Sequence, residues 1–162
     1  MTLQLFNTLG RNQAEFVPIQ GQTVGLYTCG PTVYHYAHIG NLRSYIFADI
    51  LRRTLAANGY EVKQVINITD VGHLVGDGDD GQDKLEAGAA REGKTPAEVA
   101  RFYEAAFKAD ITKLNIAEPT IWARATEHIA EQIVMVEQLL TNGYAYETEQ
   151  AVYFNVSKLA DY

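Results

Sequence analysis

An α/β fold built on a parallel βαβ unit is what this sequence predicts, and three observations carry the prediction. Val24-Gly-Leu-Tyr-Thr-Cys29 is short, β-branched and aromatic and runs into Gly30-Pro31, so it reads as a strand halting at a turn. From Asn41 to Asn58 the apolar residues Leu42, Tyr45, Ile46, Ile50 and Leu55 keep helical spacing, and Gly59 supplies the stop. Glu61-Val-Lys-Gln-Val-Ile-Asn67 is again brief and β-rich, which completes strand, loop, helix and strand in roughly forty residues. Such a crossover is right-handed. Ligands of parallel sheets bind beyond the carboxyl ends of the strands, so the Cys29 to Gly40 loop and the Asn67 to Gly72 stretch are expected to face one crevice.

Each later element has its own signal. Gly76-Asp-Gly-Asp-Asp-Gly81 reads as a solvated connection leading into helices; numbered as a calcium loop from Asp77 it has glycine at positions 5 and 12, where carboxylates are needed. Thr95-Pro-Ala-Glu98 is a capping box with proline at the first helical position, and Val99, Phe102, Tyr103, Phe107, Ile111 and Leu114 continue one apolar face. A further helix runs from Thr126 to Asn142, with Ile129, Ile133, Val136 and Leu140 inward and Gly143 closing it. Tyr144 to Glu147 and Ala151 to Phe154 alternate around Thr148-Glu149-Gln150 and suggest a small hairpin.

Composition narrows the function. The chain of 162 residues is long enough for about one domain with a real core. Its 47% apolar and 20% charged residues place it among globular proteins. A net charge of −7 argues against coating nucleic acid through bulk charge, so any RNA contact must be focal and DNA is not expected as a partner. One cysteine makes no internal disulfide, which points to a cytoplasmic location. No run approaches the ~18 consecutive apolar residues of a spanning helix, and a membrane is not expected as a partner.

The densest cluster of polar residues and glycine is Cys29-Gly-Pro-Thr-Val-Tyr-His-Tyr-Ala-His-Ile-Gly-Asn41, between the first strand of that unit and its helix. Gly40 has no Cβ, so a phosphate or an adenine can approach the backbone, and the N–H groups of a helix start favour negative charge. His38 and Asn41, three apart, are placed to point at one ligand, where donors stabilise charge building on a transferring phosphate. His38 also reads as a simple helix cap, Thr69 as a strand-end hydroxyl satisfying a turn, and Cys29 as a small buried hydrophobe. His128 sits at a helix start, where dipole and capping roles suit it better than ligand binding.

Tyr27-Thr-Cys-Gly-Pro-Thr-Val-Tyr34, His38-Ile-Gly-Asn41 and Asn67-Ile-Thr-Asp70, in that order, resemble the start of the cysteinyl-tRNA synthetase family. The likeness continues through Leu114-Asn-Ile116, Pro119 and Arg124-Ala-Thr-Glu-His-Ile129, and Phe6-Asn-Thr-Leu9 fits as well. This resemblance implies the first half of a Rossmann-type class I catalytic domain over residues 1–120. Residues 121–162 would then open a connecting insertion, here truncated. The implied reaction activates cysteine with ATP and Mg²⁺ to cysteinyl-adenylate and transfers the cysteine to tRNA(Cys). Residue by residue, it places Gly30 and Thr69 beside the amino acid and Gly40 under the adenosine, with His38 and Asn41 catalytic on the ATP phosphates. It makes Cys29 a zinc ligand, with the metal separating cysteine from serine by ligand softness.

No cysteine follows Cys29 and no lysine-rich signature loop occurs, so the remaining zinc ligands and that loop are expected outside these residues. The chain is then expected to hold part of an active site. Two other readings stay open: a non-catalytic ATP- or zinc-binding fragment, and a ligase joining cysteine to a sugar amine, which Thr32-Val-Tyr34 fits less well. The resemblance gives no role to His35, where many relatives carry aspartate, and leaves Tyr34 and Tyr36 as packing residues. Gly72-His73-Leu74 departs from the acidic pair many relatives have there.

Overall fold

A computed structural model describes residues 2–72, 84–149 and 151–160. Leu74 and the Gly76 to Gly81 connection lie outside the described residues, as does His73. The chain forms two compact units, Met1–Arg124 and Ala125–Tyr162.

The first unit opens with an antiparallel hairpin of β1 (Gln4–Asn7) and β2 (Asn12–Glu15), which the sequence reading did not foresee. Its turn holds Arg11 at φ 50°, and Phe16 just beyond meets Tyr60 edge to face at 5.4 Å. The predicted βαβ unit follows as β3 (Thr23–Thr28), α1 (Ile39–Ala57) and β4 (Glu61–Ile68). The two strands pair in parallel from Thr23↔Glu61 to Thr28↔Ile66. α2 (Lys84–Glu92) and α3 (Pro96–Lys113) then cross to a third parallel strand, β5 (Ile121–Arg124), so the sheet order is β3-β4-β5. β5 is a second element the sequence did not announce. Four residues after a proline give too short a run to register as a strand, and it is the pairing from Val65↔Ile121 to Ile68↔Arg124 that makes them one.

One face of the sheet is packed. Ile66, Tyr45, Phe107 and Ile111 form one buried cluster, and Ile68, Val33, Leu85, Val99 and Tyr103 form another. Fully burying each aliphatic side chain contributes roughly 1.5–3 kcal/mol. The expected inward face of α1 needs correction: Tyr45 and Leu55 are buried, whereas Ile46 and Ile50 are exposed and Ala48 and Asp49 face the core instead. Asp49 earns its place by hydrogen bonding, since it accepts from the Ala117 amide at 3.0 Å and from Arg53 at 2.6 Å. Arg53 in turn donates to the Asn115 carbonyl, so a buried charge is paired and ties α1 to the approach to β5. On α3, Val99, Tyr103, Phe107 and Ile111 are buried as predicted, while Phe102 and Leu114 are exposed. The other sheet face aligns Tyr27, Val65 and Ile121 in one cross-strand row, with Tyr27 and Ile121 exposed.

The second unit holds a 3₁₀ turn (Ala125–His128), α4 (Ile129–Thr141) and a hairpin of β6 (Ala145–Glu147) and β7 (Val152–Phe154), the helix and hairpin matching their predicted places. His128 is the N-cap of α4, and its ring makes no capping bond. The predicted inward face of α4 is not buried: Ile129, Ile133 and Val136 are all exposed. No described helix is long and apolar enough to cross a membrane.

Candidate active site at the strand ends

The parallel register of β3 and β4 decides what meets at their carboxyl ends. Gly30 lies against Asn67, and its amide donates to Asn67 Oδ1 at 2.8 Å. A Cβ on Gly30 would stand 1.5 Å from the Asn67 carbonyl oxygen, so only glycine fits. Beyond that point the chain continues the ladder by two bonds: the Thr69 amide donates to the Pro31 carbonyl at 2.9 Å, and the Val33 amide to the Thr69 carbonyl at 3.2 Å. Val33, 1% exposed, anchors the stitched loop in the core.

The far half of the loop is fastened to α3 by aromatic rings. His35 stacks on Tyr103 with centroids 5.9 Å apart, and Tyr36 meets the same ring edge to face at 5.0 Å. The packing reading of Tyr36 is therefore what the structure shows, and His35 acquires a packing role. Tyr103 donates its hydroxyl to Glu92 at 2.5 Å. That bond, with Lys94 and Arg91 adding to it, pulls the Glu92 carboxyl down to about 2, and the same bond raises the Tyr103 phenol above its ordinary value. Sequence reasoning missed Glu92, whose only signal was its place before the Thr95 capping box.

His38 and Asn41 form a reciprocal cap at the start of α1. His38 Nδ1 accepts from the Gly40 amide at 3.1 Å, and Asn41 Oδ1 accepts from the His38 amide at 3.1 Å. The two predicted roles of His38, cap and ligand, turn out to be compatible. With Nδ1 an acceptor, the ring proton of the neutral imidazole sits on Nε2, and with Oδ1 occupied the Asn41 amide keeps its two N–H donors. Both side chains thus retain donors for a ligand. One expectation is corrected: the Gly40 amide is not a free donor, because His38 uses it. A Cβ on Gly40 would sit 2.9 Å from His38 Cε1, so glycine there makes room for the ring.

Gly30, His38 and Asn41 line a single cleft of about 300 Å³, walled by Tyr45, Tyr103 and Phe107 from the two helices. Cys29, Gly40 and Thr69 stand around it and do not line it. Cys29 is exposed at the end of β3. Burial, and then the Cys29 charge, push the Tyr45 phenol well above its ordinary range. Thr69 is half-buried behind Asn67, whose Nδ2 donates to its hydroxyl at 3.3 Å. Among the described residues no three His, Cys, Asp or Glu side chains gather to hold a metal ion. One thiol is a single ligand where zinc takes four, so the described residues do not by themselves close a zinc site.

A parallel sheet with its capped helix start and glycine turn at the strand ends is the arrangement of the class I aminoacyl-tRNA synthetases, and the fold agrees. The structure of Mycobacterium tuberculosis methionyl-tRNA synthetase in complex with methionyl-adenylate superposes with a TM-score of 0.66 at 20% identity, over 78% of this chain and 23% of that one. The chain belongs to the family described as tRNA synthetases class I (C) catalytic domain, whose match covers residues 15–162. Cysteine–tRNA ligase 1 of Burkholderia lata is 53% identical over 162 residues, all of this chain and 34% of that protein. Cysteine–tRNA ligase of Zymomonas mobilis is 50% identical over 157 residues, 97% of this chain and 30% of that protein. The chain thus spans about a third of the length of the curated relatives it matches.

Proposed function

We propose that the protein carrying this chain activates cysteine with ATP and Mg²⁺ to cysteinyl-adenylate and passes the cysteine to tRNA(Cys), and that these residues supply part of the active site. The observation that carries this reading is the pair of unspent donors on His38 and Asn41 at the mouth of one cleft. In the first step a cysteine carboxylate oxygen attacks the α-phosphorus and pyrophosphate leaves. Charge grows on the phosphate oxygens, and His38 Nε2–H and the Asn41 amide are the catalytic donors aimed at it. Gly30 and Thr69 flank the amino acid, and Gly40 lies under the adenosine. Cys29 supplies one ligand to a zinc ion that would select the substrate thiol, with the other ligands outside this chain. A cytoplasmic location follows from this reading, because the tRNA is charged there. Residues 1–120 are proposed as the first half of the catalytic domain and residues 121–162 as the start of the connecting insertion.

The test is cysteine-dependent ATP–pyrophosphate exchange and tRNA charging by the full-length protein, with serine as the rejected control. Exchange without tRNA charging would replace the synthetase by a ligase with another acceptor. Absence of exchange would leave a binding role only. Cys29→Ser is expected to lower zinc content and cysteine activation together, and full activity with normal metal content removes the zinc assignment.

A further inference from the structure

Asn67 sits at the end of the central strand on the half-buried side of the sheet, and its single amide is used at both ends. The Gly30 backbone N–H can only donate, so the atom facing it at 2.8 Å must be Oδ1. The amide therefore has one orientation, and Nδ2 is left to donate to the Thr69 hydroxyl oxygen at 3.3 Å. A hydroxyl that accepts there keeps its own hydrogen for something else. No described residue accepts it, since the only bond of that hydroxyl is the one from Asn67.

We propose that Asn67 is a positioning residue of the amino-acid site: it fixes the Gly30 turn and sets the polarity of Thr69, so that the Thr69 hydroxyl, beside the cleft, is kept as a donor for an acceptor atom of the bound amino acid. This rests on the reading above that Gly30 and Thr69 flank the substrate. The logic lies in the backbone donor, which a side-chain donor could not replace: because Gly30 cannot change roles, the direction of hydrogen bonding is imposed on Asn67 and then on Thr69. An aspartate in the same place would still accept from Gly30 but would also accept from Thr69, turning that hydroxyl away from the ligand.

The decisive variant is thus Asn67→Asp, which keeps the shape and reverses the polarity. In the full-length protein, assayed by exchange with L-cysteine, it is expected to raise the KM for cysteine by about ten-fold while the KM for ATP and the Tm stay unchanged. In a Thr69→Val background, where no hydroxyl remains to be aimed, Asn67→Asp is expected to add no further loss. An unchanged KM for cysteine, the same penalty with and without the Thr69 hydroxyl, or an equal loss in both KM values overturns the proposal. Amide exchange in the full-length protein supplies a readout that needs no activity: the Gly30 amide is protected in the wild type and in Asn67→Asp and exposed in Asn67→Ala. An unprotected wild-type amide overturns the bridge itself. If the wild type shows no cysteine-dependent exchange of pyrophosphate, the synthetase reading falls, and the amide result still decides whether Asn67 holds the turn.

Discussion

Two helices of the first unit begin with the same hydrogen-bonding device and end up with different chemistry. At α3, Thr95 Oγ1 accepts from the Glu98 amide while Glu98 Oε2 accepts from both the Thr95 amide and the Thr95 hydroxyl. The Thr95 hydroxyl, the one side-chain donor of this box, is spent on Glu98, and the box only starts a helix. At α1 the same reciprocal bonds run between His38 and Asn41, but each side chain uses one atom and keeps another. Histidine is not among the favoured N-cap residues, and under the proposed function it is the nitrogen left over, not the cap, that calls for it. The difference teaches that a capping motif has something to offer a ligand when its side chains carry more donors than the helix needs.

His38→Asn breaks the comparison most severely, because asparagine caps well but has no Nε2–H. Cysteine-dependent exchange in the full-length protein is expected to fall by about 10²–10³-fold with little change in Tm; a lower Tm at near-normal rate would mean the histidine is there for the cap alone. Gly40→Ala is next. Its Cβ would press the His38 ring, so the rate is expected to fall about ten-fold even as alanine raises helix propensity, a split visible by measuring exchange and thermal melting on one sample. Thr95→Ala, the matching change at α3, is expected to cost about 1 kcal/mol in urea unfolding and leave exchange untouched. The smallest effect concerns acid. The Glu98 carboxyl is held below its ordinary value, first by the Thr95 amide and then by the Thr95 hydroxyl. A lowered folded value means that the contribution is present above the unfolded glutamate value and is lost as pH falls through the folded one. The stability gap between wild type and Glu98→Gln is therefore expected to close as pH falls below the ordinary glutamate value, whereas His38→Asn removes no carboxylate.

How much of this was legible in the sequence follows from range. The βαβ unit, the α3 cap and the second-unit hairpin are written in local periodicity and turn residues, and they stand where expected. β5 was not legible, because four residues become a strand only by pairing with Val65 to Ile68. The buried side of α1 was misread at Ile46 and Ile50 because helical spacing marks apolar stripes without saying which one meets the sheet. In the site, the motif residues Gly30, His38 and Asn41 were legible and do share a cleft. What held them was not: the stacking of His35 on Tyr103 joins the loop to a helix far along the chain, and the Glu92–Tyr103 bond depends on how two successive helices pack, which no spacing rule gives.

The parallel sheet carries a further consequence, one of timing. Hairpins such as β1–β2 close over a few residues and form in microseconds, but β3 meets β4 through partners 38 residues apart, Thr23 and Glu61, and β4 meets the segment leading into β5 through partners 56 apart, Gln64 and Thr120. Non-local pairings of this kind are the slow part of folding. The cleft exists only where β3 and β4 have already aligned, so it is among the last features of the unit to appear. A ligand that fits it recognises the finished register and draws the folding equilibrium toward it.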